Sequence, residues 1–158
     1  MDKHAIYLIM LKINVLSVGK IKEDYYNQAI AEYAKRLGRF CNISQTIIEE
    51  LPQGQDKLKK ESQLILPKLS NFTVILDKEG QALTSLQLAS KLQLWQNSNS
   101  DITILIGSSD GLDQTIKQIA NYSMSFSCLT LPHSLAKVIL FEQLYRAFMI
   151  NSNGKYHK

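Results

Sequence analysis

The chain has 158 residues, 45% of them apolar, and carries 18 basic against 14 acidic side chains, a formal net charge of +4. That length and composition suit one globular domain with a sizeable core, and the mild basic excess is compatible with nucleic acid without pointing to it. No apolar run is long enough to span a bilayer and no cleavable leader is recognisable, so a cytoplasmic protein is expected.

The apolar stretch from Ala5 to Leu11 follows Asp2, and a second methionine, Met10, stands just before the first convincing strand. Residues 1–9 are therefore expected to be an optional extension to a single domain of residues 10–158. Leu11–Val18 alternates apolar and polar residues and ends at Gly19, as a strand does. Lys22–Phe40 places Tyr26, Ala29, Ile30, Tyr33 and Leu37 at helical spacing and stops near Gly38. Ile43–Glu49 reads as a second strand. Residues 52–70 open with Pro52 and Gly54 and become a charged helix with Leu58, Ile65 and Leu69 on one face, although Pro67 disturbs its last turn. Phe72–Asp77 is a buried-type strand, and Thr84 with Gln87 forms a capping box for a helix over Ser85–Trp95. Ile102–Gly107 is another buried strand, a short helix follows near Asp113–Asn121, Ser125–Leu131 reads as a fifth strand, and Ser134–Ile150 as the final helix. The two cysteines, Cys41 and Cys128, have no metal-ligand spacing and read as reduced, strand-embedded small hydrophobes.

Strands alternating with helices imply a mostly parallel sheet with helices on both faces. The final helix has almost no polar face, and a helix apolar all round must be buried all round. With one side on the sheet, its other side is expected to meet a second copy of the chain.

Ligand sites in such sheets form at the carboxyl ends of strands. The turn Gly107-Ser108-Ser109-Asp110-Gly111 is the best candidate, because glycine admits close backbone approach or positive φ. It fits neither the G-x-G-x-x-G fingerprint nor the phosphate loop G-x-x-x-x-G-K-[ST], which disfavours a nicotinamide dehydrogenase or a nucleoside triphosphatase. Leu76-Asp77-Lys78-Glu79-Gly80 ends the third strand in a charged turn, and Pro132 breaks the fifth, leaving His133 at the N-terminus of the last helix. Glu142 and Arg146 stand in the favourable order for a helical ion pair, on a helix with little solvated face. Tyr156-His157 close the chain and by themselves read as a frayed tail.

In their order, Leu16-Ser-Val-Gly-Lys, Ala31-Glu-Tyr-Ala-Lys-Arg-Leu, Leu76-Asp-Lys-Glu-Gly, Ile106-Gly-Ser-Ser-Asp-Gly-Leu, Ser125 to His133, Glu142-Gln-Leu-Tyr-Arg-Ala and Tyr156-His-Lys resemble one family. It is the RlmH family, the ribosomal large-subunit pseudouridine N3-methyltransferases of the SPOUT superfamily, and the resemblance covers residues 10–158. It implies an α/β fold with a deep C-terminal trefoil knot, a rare exception to unknotted topology. It also implies a homodimer that binds S-adenosylmethionine, without a metal, and methylates N3 of a pseudouridine in 23S rRNA; the assembled ribosome is the expected partner, with naked RNA the alternative the sequence leaves open.

By the same resemblance, cofactor contacts are expected at Leu76, Gly107, Phe126, Ser127, Cys128, Leu129, Thr130 and Leu131. RNA binding or chemistry is expected at His133, Glu142, Arg146, Tyr156 and His157. His157 or His133 would accept the N3 proton, Tyr156 would shape the target pocket, Arg146 would position phosphate or the uracil face, and Glu142 would orient Arg146. Two positions depart from the family pattern. Ser108 replaces a second glycine, which costs on the order of 1 kcal/mol if φ must be positive there, and Lys137 replaces an arginine with its bidentate fork. These departures keep open the alternative of a non-catalytic ribosome- or RNA-binding module that retains the fold.

Overall fold

Two periodicities in the strands decide how the layers stack. Ile13, Val15, Val74, Ile102 and Ile104 point to one face of the sheet, whereas Leu16, Val18, Ile75 and Leu105 point to the other. All are 1% exposed or less, as expected for parallel strands covered on both faces. The structure, a computed structural model, describes residues 10–158. The optional extension expected at residues 1–9 lies outside the described residues.

In chain order the elements are β1 (Lys12–Val18), α1 (Asp24–Leu37), β2 (Asn42–Ile48), α2 (Lys57–Ile65), β3 (Phe72–Ala82), α3 (Ser85–Ser98), β4 (Asp101–Ile106), α4 (Gln114–Ile119), β5 (Tyr122–Ser125) and α5 (His133–Asn151). A single 3-10 turn, Leu66–Lys68, follows α2 where Pro67 denies the helix an N–H donor. Among the described residues the strands form one sheet in the order β2-β1-β4-β3-β5, with every pairing parallel. The cluster on the first face takes its helical side chains from α1, α3 and α5, and that on the second from α2 and α4. The expected capping box forms, with Gln87 N donating to Thr84 Oγ1 at 3.2 Å and Thr84 N to Gln87 Oε1 at 2.8 Å.

Three expectations change. The fifth strand is Tyr122–Ser125, not Ser125–Leu131. Its neighbour in the sheet is β3 alone, and Ser125 and Ser127 turn the chain away with bonds from Ser125 Oγ to Ser127 O (3.1 Å) and from Leu129 N to Ser127 Oγ (2.9 Å). Cys128 consequently sits exposed in a loop, and Cys41 is buried just ahead of β2 rather than inside a strand.

The third strand does not stop at Asp77. It bulges between Leu76 and Gln81 and pairs with β5 again, Gln81 with Met124 and Ala82 with Ser125. Gly80 makes this possible: a Cβ there would lie 2.7 Å from the backbone of Met124.

The apolar final helix is explained within one chain. α5 packs between α1 and α3, burying Leu140, Phe141, Leu144, Ala147 and Phe148. A second subunit is therefore not needed to cover most of it. Leu135, Val138, Ile139 and Ile150 of the same helix stay half-buried, Val138 and Ile150 against the first-face cluster.

Candidate active site

Because all five strands are parallel, their carboxyl ends share one edge, and the chain breaks there at Gly107, at the 77–80 bulge and after Ser125. Between these breaks lies a cavity of about 340 Å³, within the range of small-ligand sites. Leu76, Gly107, Phe126, Ser127, Leu129, Thr130 and Leu131, all named above for cofactor contact, line it, and His133 joins them from the start of α5. Cys128 is not on the wall.

The pocket is amphipathic. Leu76, Ile106, Leu129 and Leu131 give it apolar surface, while Ser108 Oγ and His133 Nε2 are buried without a hydrogen-bond partner. Leaving such groups unpaired costs about 1–3 kcal/mol each, so both are positions at which a polar ligand or an ordered water is expected. At the rim Lys117 Nζ pairs with Asp77 Oδ2 at 2.8 Å. Burial pulls the Asp77 carboxyl upward, but the bonds from Lys117 and from Glu79 N outweigh it and hold the group below its ordinary value.

Gly107 serves its own turn. A Cβ there would stand 2.5 Å from Gly111 O and 2.8 Å from Leu112 Cγ, so the crossing of residues 107 and 111 excludes a side chain. Gly111 has the positive φ of the loop, +88°, and Ser108 does not. The penalty foreseen for serine at 108 is therefore absent.

The same turn is fastened from outside by a group the sequence did not suggest. Lys57, in a helix that reads as solvated, is 6% exposed. Its Nζ donates to Glu50 Oε1 at 2.8 Å and to Asp110 Oδ2 at 2.5 Å, with Glu61 Oε1 at 3.9 Å. Gln53 adds a bond to Asp110, and Ser109 one to Glu50. The Lys57 bond holds both the Glu50 and the Asp110 carboxyls below their ordinary values. Glu50 Oε2 and His133 Nε2 both border Gly19, each 3.4 Å from where a Cβ on that residue would stand, and no hydrogen bond joins them. Glu50 thus ties α2 to the glycine turn through Lys57 and Ser109.

Lys137 cannot act as the surface phosphate contact that an arginine there would suggest. It is 2% exposed, and its Nζ donates to the buried Ser17 Oγ at 3.0 Å. Burial lowers the ammonium from 10.5 to about 8.

The remaining candidate residues gather at the other end of α5. Glu142 Oε1 accepts from Arg146 Nη2 (2.7 Å), from Arg146 Nε (3.1 Å) and from Tyr156 Oη (3.0 Å). Arg146 Cζ lies 4.7 Å from the Tyr156 ring centroid, and its Nη1 is 3.3 Å from His157 Nδ1. The Tyr156 ring meets Tyr145 edge-on at 4.8 Å, and Arg36 from α1 sits over Tyr33 and Tyr145 at 5.5 and 5.6 Å. Burial, then the bonds to Tyr33 and Glu142, push the Tyr156 phenol well above its ordinary value. The tail is thus docked, not frayed. At 1.5 Å per residue, Glu142 lies about 13 Å and Arg146 about 20 Å along the helix from His133. The structure gathers the candidate residues into two groups, a pocket and a tail cluster, on opposite ends of one helix.

A family model described as "Predicted SPOUT methyltransferase" matches residues 11–157. Proteins named ribosomal RNA large subunit methyltransferase H are similar over nearly the whole chain. The one from Streptococcus suis (strain 05ZYH33) is 43% identical and that from Leuconostoc mesenteroides 41%, each aligned over 94% of this chain and the whole of the relative. Among solved structures, a probable methylase family protein from Haemophilus influenzae Rd KW20 superposes with a TM-score of 0.54 at 11% identity, covering 94% of this chain and 70% of that one. The tRNA (m1G37) methyltransferase from Aquifex aeolicus gives 0.52 at 16% identity, over 87% of this chain and 69% of that one. These two likenesses speak to the fold.

Proposed function

Because the chain belongs to the SPOUT methyltransferase family, we propose that it methylates ribosomal RNA of the large subunit, at N3 of a pseudouridine, with S-adenosylmethionine as donor. The protein is an enzyme, a methyltransferase resembling the relatives that bear the large-subunit name. The observation that carries the reading is the amphipathic pocket at the strand ends, whose wall includes Ser108 and His133. The donor has both kinds of surface: an adenine ring and thioether carbons for Leu76, Ile106, Leu129 and Leu131, and polar edges for the backbone of the 126–131 loop. When bound it supplies the electrophilic methyl group itself.

The chain's own residues then have to orient and to exclude water. The 107–111 turn, braced by Lys57 and Asp110, forms one wall, and the exposed Leu129 stands at the mouth. Target recognition belongs to Glu142, Arg146, Tyr156 and His157, with Arg146 held by Glu142 for phosphate or the uracil face. Their distance along α5 from the pocket favours a homodimer in which the tail of one protomer completes the pocket of the other. The half-buried strip Leu135, Val138 and Ile139 supports that reading. The C-terminal trefoil knot of the family belongs to the same proposal. The assembled ribosome is the proposed substrate form.

Calorimetry with S-adenosylmethionine and sedimentation of the apoprotein test the reading. It predicts binding at micromolar donor and a dimer. A chain that binds no donor would instead support a non-catalytic RNA-binding module.

A further inference from the structure

The side-chain acceptors of the tail cluster are already engaged. Glu142 Oε1 already accepts from Arg146 Nε, Arg146 Nη2 and Tyr156 Oη, and its Oε2 accepts from Gln143 Nε2 at 2.6 Å. The Tyr156 hydroxyl is spent as a donor to Glu142. His157 is decided by its neighbour: a guanidinium has donors only, so Arg146 Nη1 at 3.3 Å must donate to a bare Nδ1. A neutral imidazole that accepts at Nδ1 carries its one proton on Nε2.

We infer that His157 is held by Arg146 as the Nε2–H tautomer and donates that hydrogen bond to a carbonyl of the target ring, rather than taking the N3 proton. The inference rests on the methyl-transfer reading above. In a uracil-type ring N3–H lies between two carbonyls, and loss of its proton spreads negative charge onto those oxygens. A fixed donor at one of them favours the anion in the transition state, as an oxyanion hole does. The step balances as follows: the N3 proton passes to solvent water or hydroxide, N3 forms its bond to the methyl carbon as the S–CH3 bond breaks, and the sulfonium charge is lost as neutral thioether departs. The groups facing His157 are Arg146 and Glu142 from α5 and Tyr156 from the tail, with Tyr33 and Arg36 of α1 behind Tyr145 and Tyr156.

The test has two arms on the full-length protein. Long-range 15N–1H spectra at pH 7.5, assigned by the signals missing from His157→Gln, should show His157 protonated on Nε2 and bare on Nδ1, and this preference should disappear in Arg146→Ala. Single-turnover methyl transfer to ribosomes at saturating donor should fall by about 100-fold in His157→Ala, the typical loss of one preorganised donor. His157→Gln, whose amide can donate from a similar position but cannot act as a base, should stay within about tenfold of wild type. Its rate should rise with pH as the wild-type rate does. An Nδ1–H tautomer, or a His157→Gln variant as inactive as His157→Ala, would overturn the inference. A wild-type chain that transfers no methyl would overturn the functional reading, while the tautomer would still be settled by the spectra.

Discussion

Lys137→Met tests how the site end of α5 is held. The lysine is 2% exposed and its hydrogen-bond partner among the described residues is Ser17 Oγ. Burial moves its ammonium from 10.5 to about 8. At roughly 1.4 kcal/mol for a tenfold change in proton affinity, that corresponds to ~3 kcal/mol of disfavour for the charged form at neutral pH. Solvent relaxation around the ammonium reduces the figure, and the Ser17 hydroxyl left unpaired costs about 1 kcal/mol. Methionine of similar length should therefore stabilise the fold at pH 7 by about 1–2 kcal/mol, a rise of roughly 3–6 °C in Tm for a domain of this size. The sign with pH follows from linkage. Below about pH 8 folded and unfolded lysine are both protonated and the penalty is constant. As pH rises from 8 toward 10.5 the unfolded chain holds the extra proton, so the wild type gains stability and the advantage of the variant shrinks. Urea unfolding of both proteins at pH 7 and pH 10 reads this directly. A variant less stable than wild type at pH 7, or a gap that does not change with pH, would refute the reasoning.

Gly107→Ala forces a Cβ to 2.5 Å from Gly111 O. It should cost on the order of 2 kcal/mol in urea unfolding and weaken donor binding at least tenfold by calorimetry. Lys57→Met frees the glycine turn from α2 and should weaken donor binding about fivefold or more while leaving the transfer rate at saturating donor near wild type. The depressed Glu50 and Asp110 carboxyls contribute stability above their ordinary values of 4.5 and 3.8, which is lost as pH falls through the lower folded values. In Lys57→Met this acid limb should be shallower in an unfolding series from pH 5 to pH 2. Thr84→Ala removes the N-cap of α3 and should lower stability by about 1 kcal/mol, with donor affinity unchanged by calorimetry.

The pocket edge was legible because strand ends broken by glycine and proline advertise themselves, at Gly107, at the 76–80 turn and at Pro132, whereas the 126–131 stretch was named only by the family resemblance. The Lys57 brace was not, because a lysine in a charged helix looks solvated and its partner Asp110 is 53 residues away. The fifth strand was misplaced because Phe126, Leu129 and Leu131 have strand-like chemistry but no neighbouring strand to bond. The apolar final helix gave no sign of the two helices, α1 and α3, that flank it, because those contacts join residues far apart in the sequence. The tail cluster depends on Tyr33 and Arg36 reaching across from α1, a contact separated by more than a hundred residues of sequence from Tyr156.

The proposed reaction places one methyl group on one ring nitrogen. Mass spectrometry of nucleosides from large-subunit rRNA, taken from cells with and without the gene, tests it most directly. N3-methylpseudouridine should disappear without the gene and return when the wild-type chain is supplied. Methylpseudouridine that persists unchanged in the absence of the gene would contradict it.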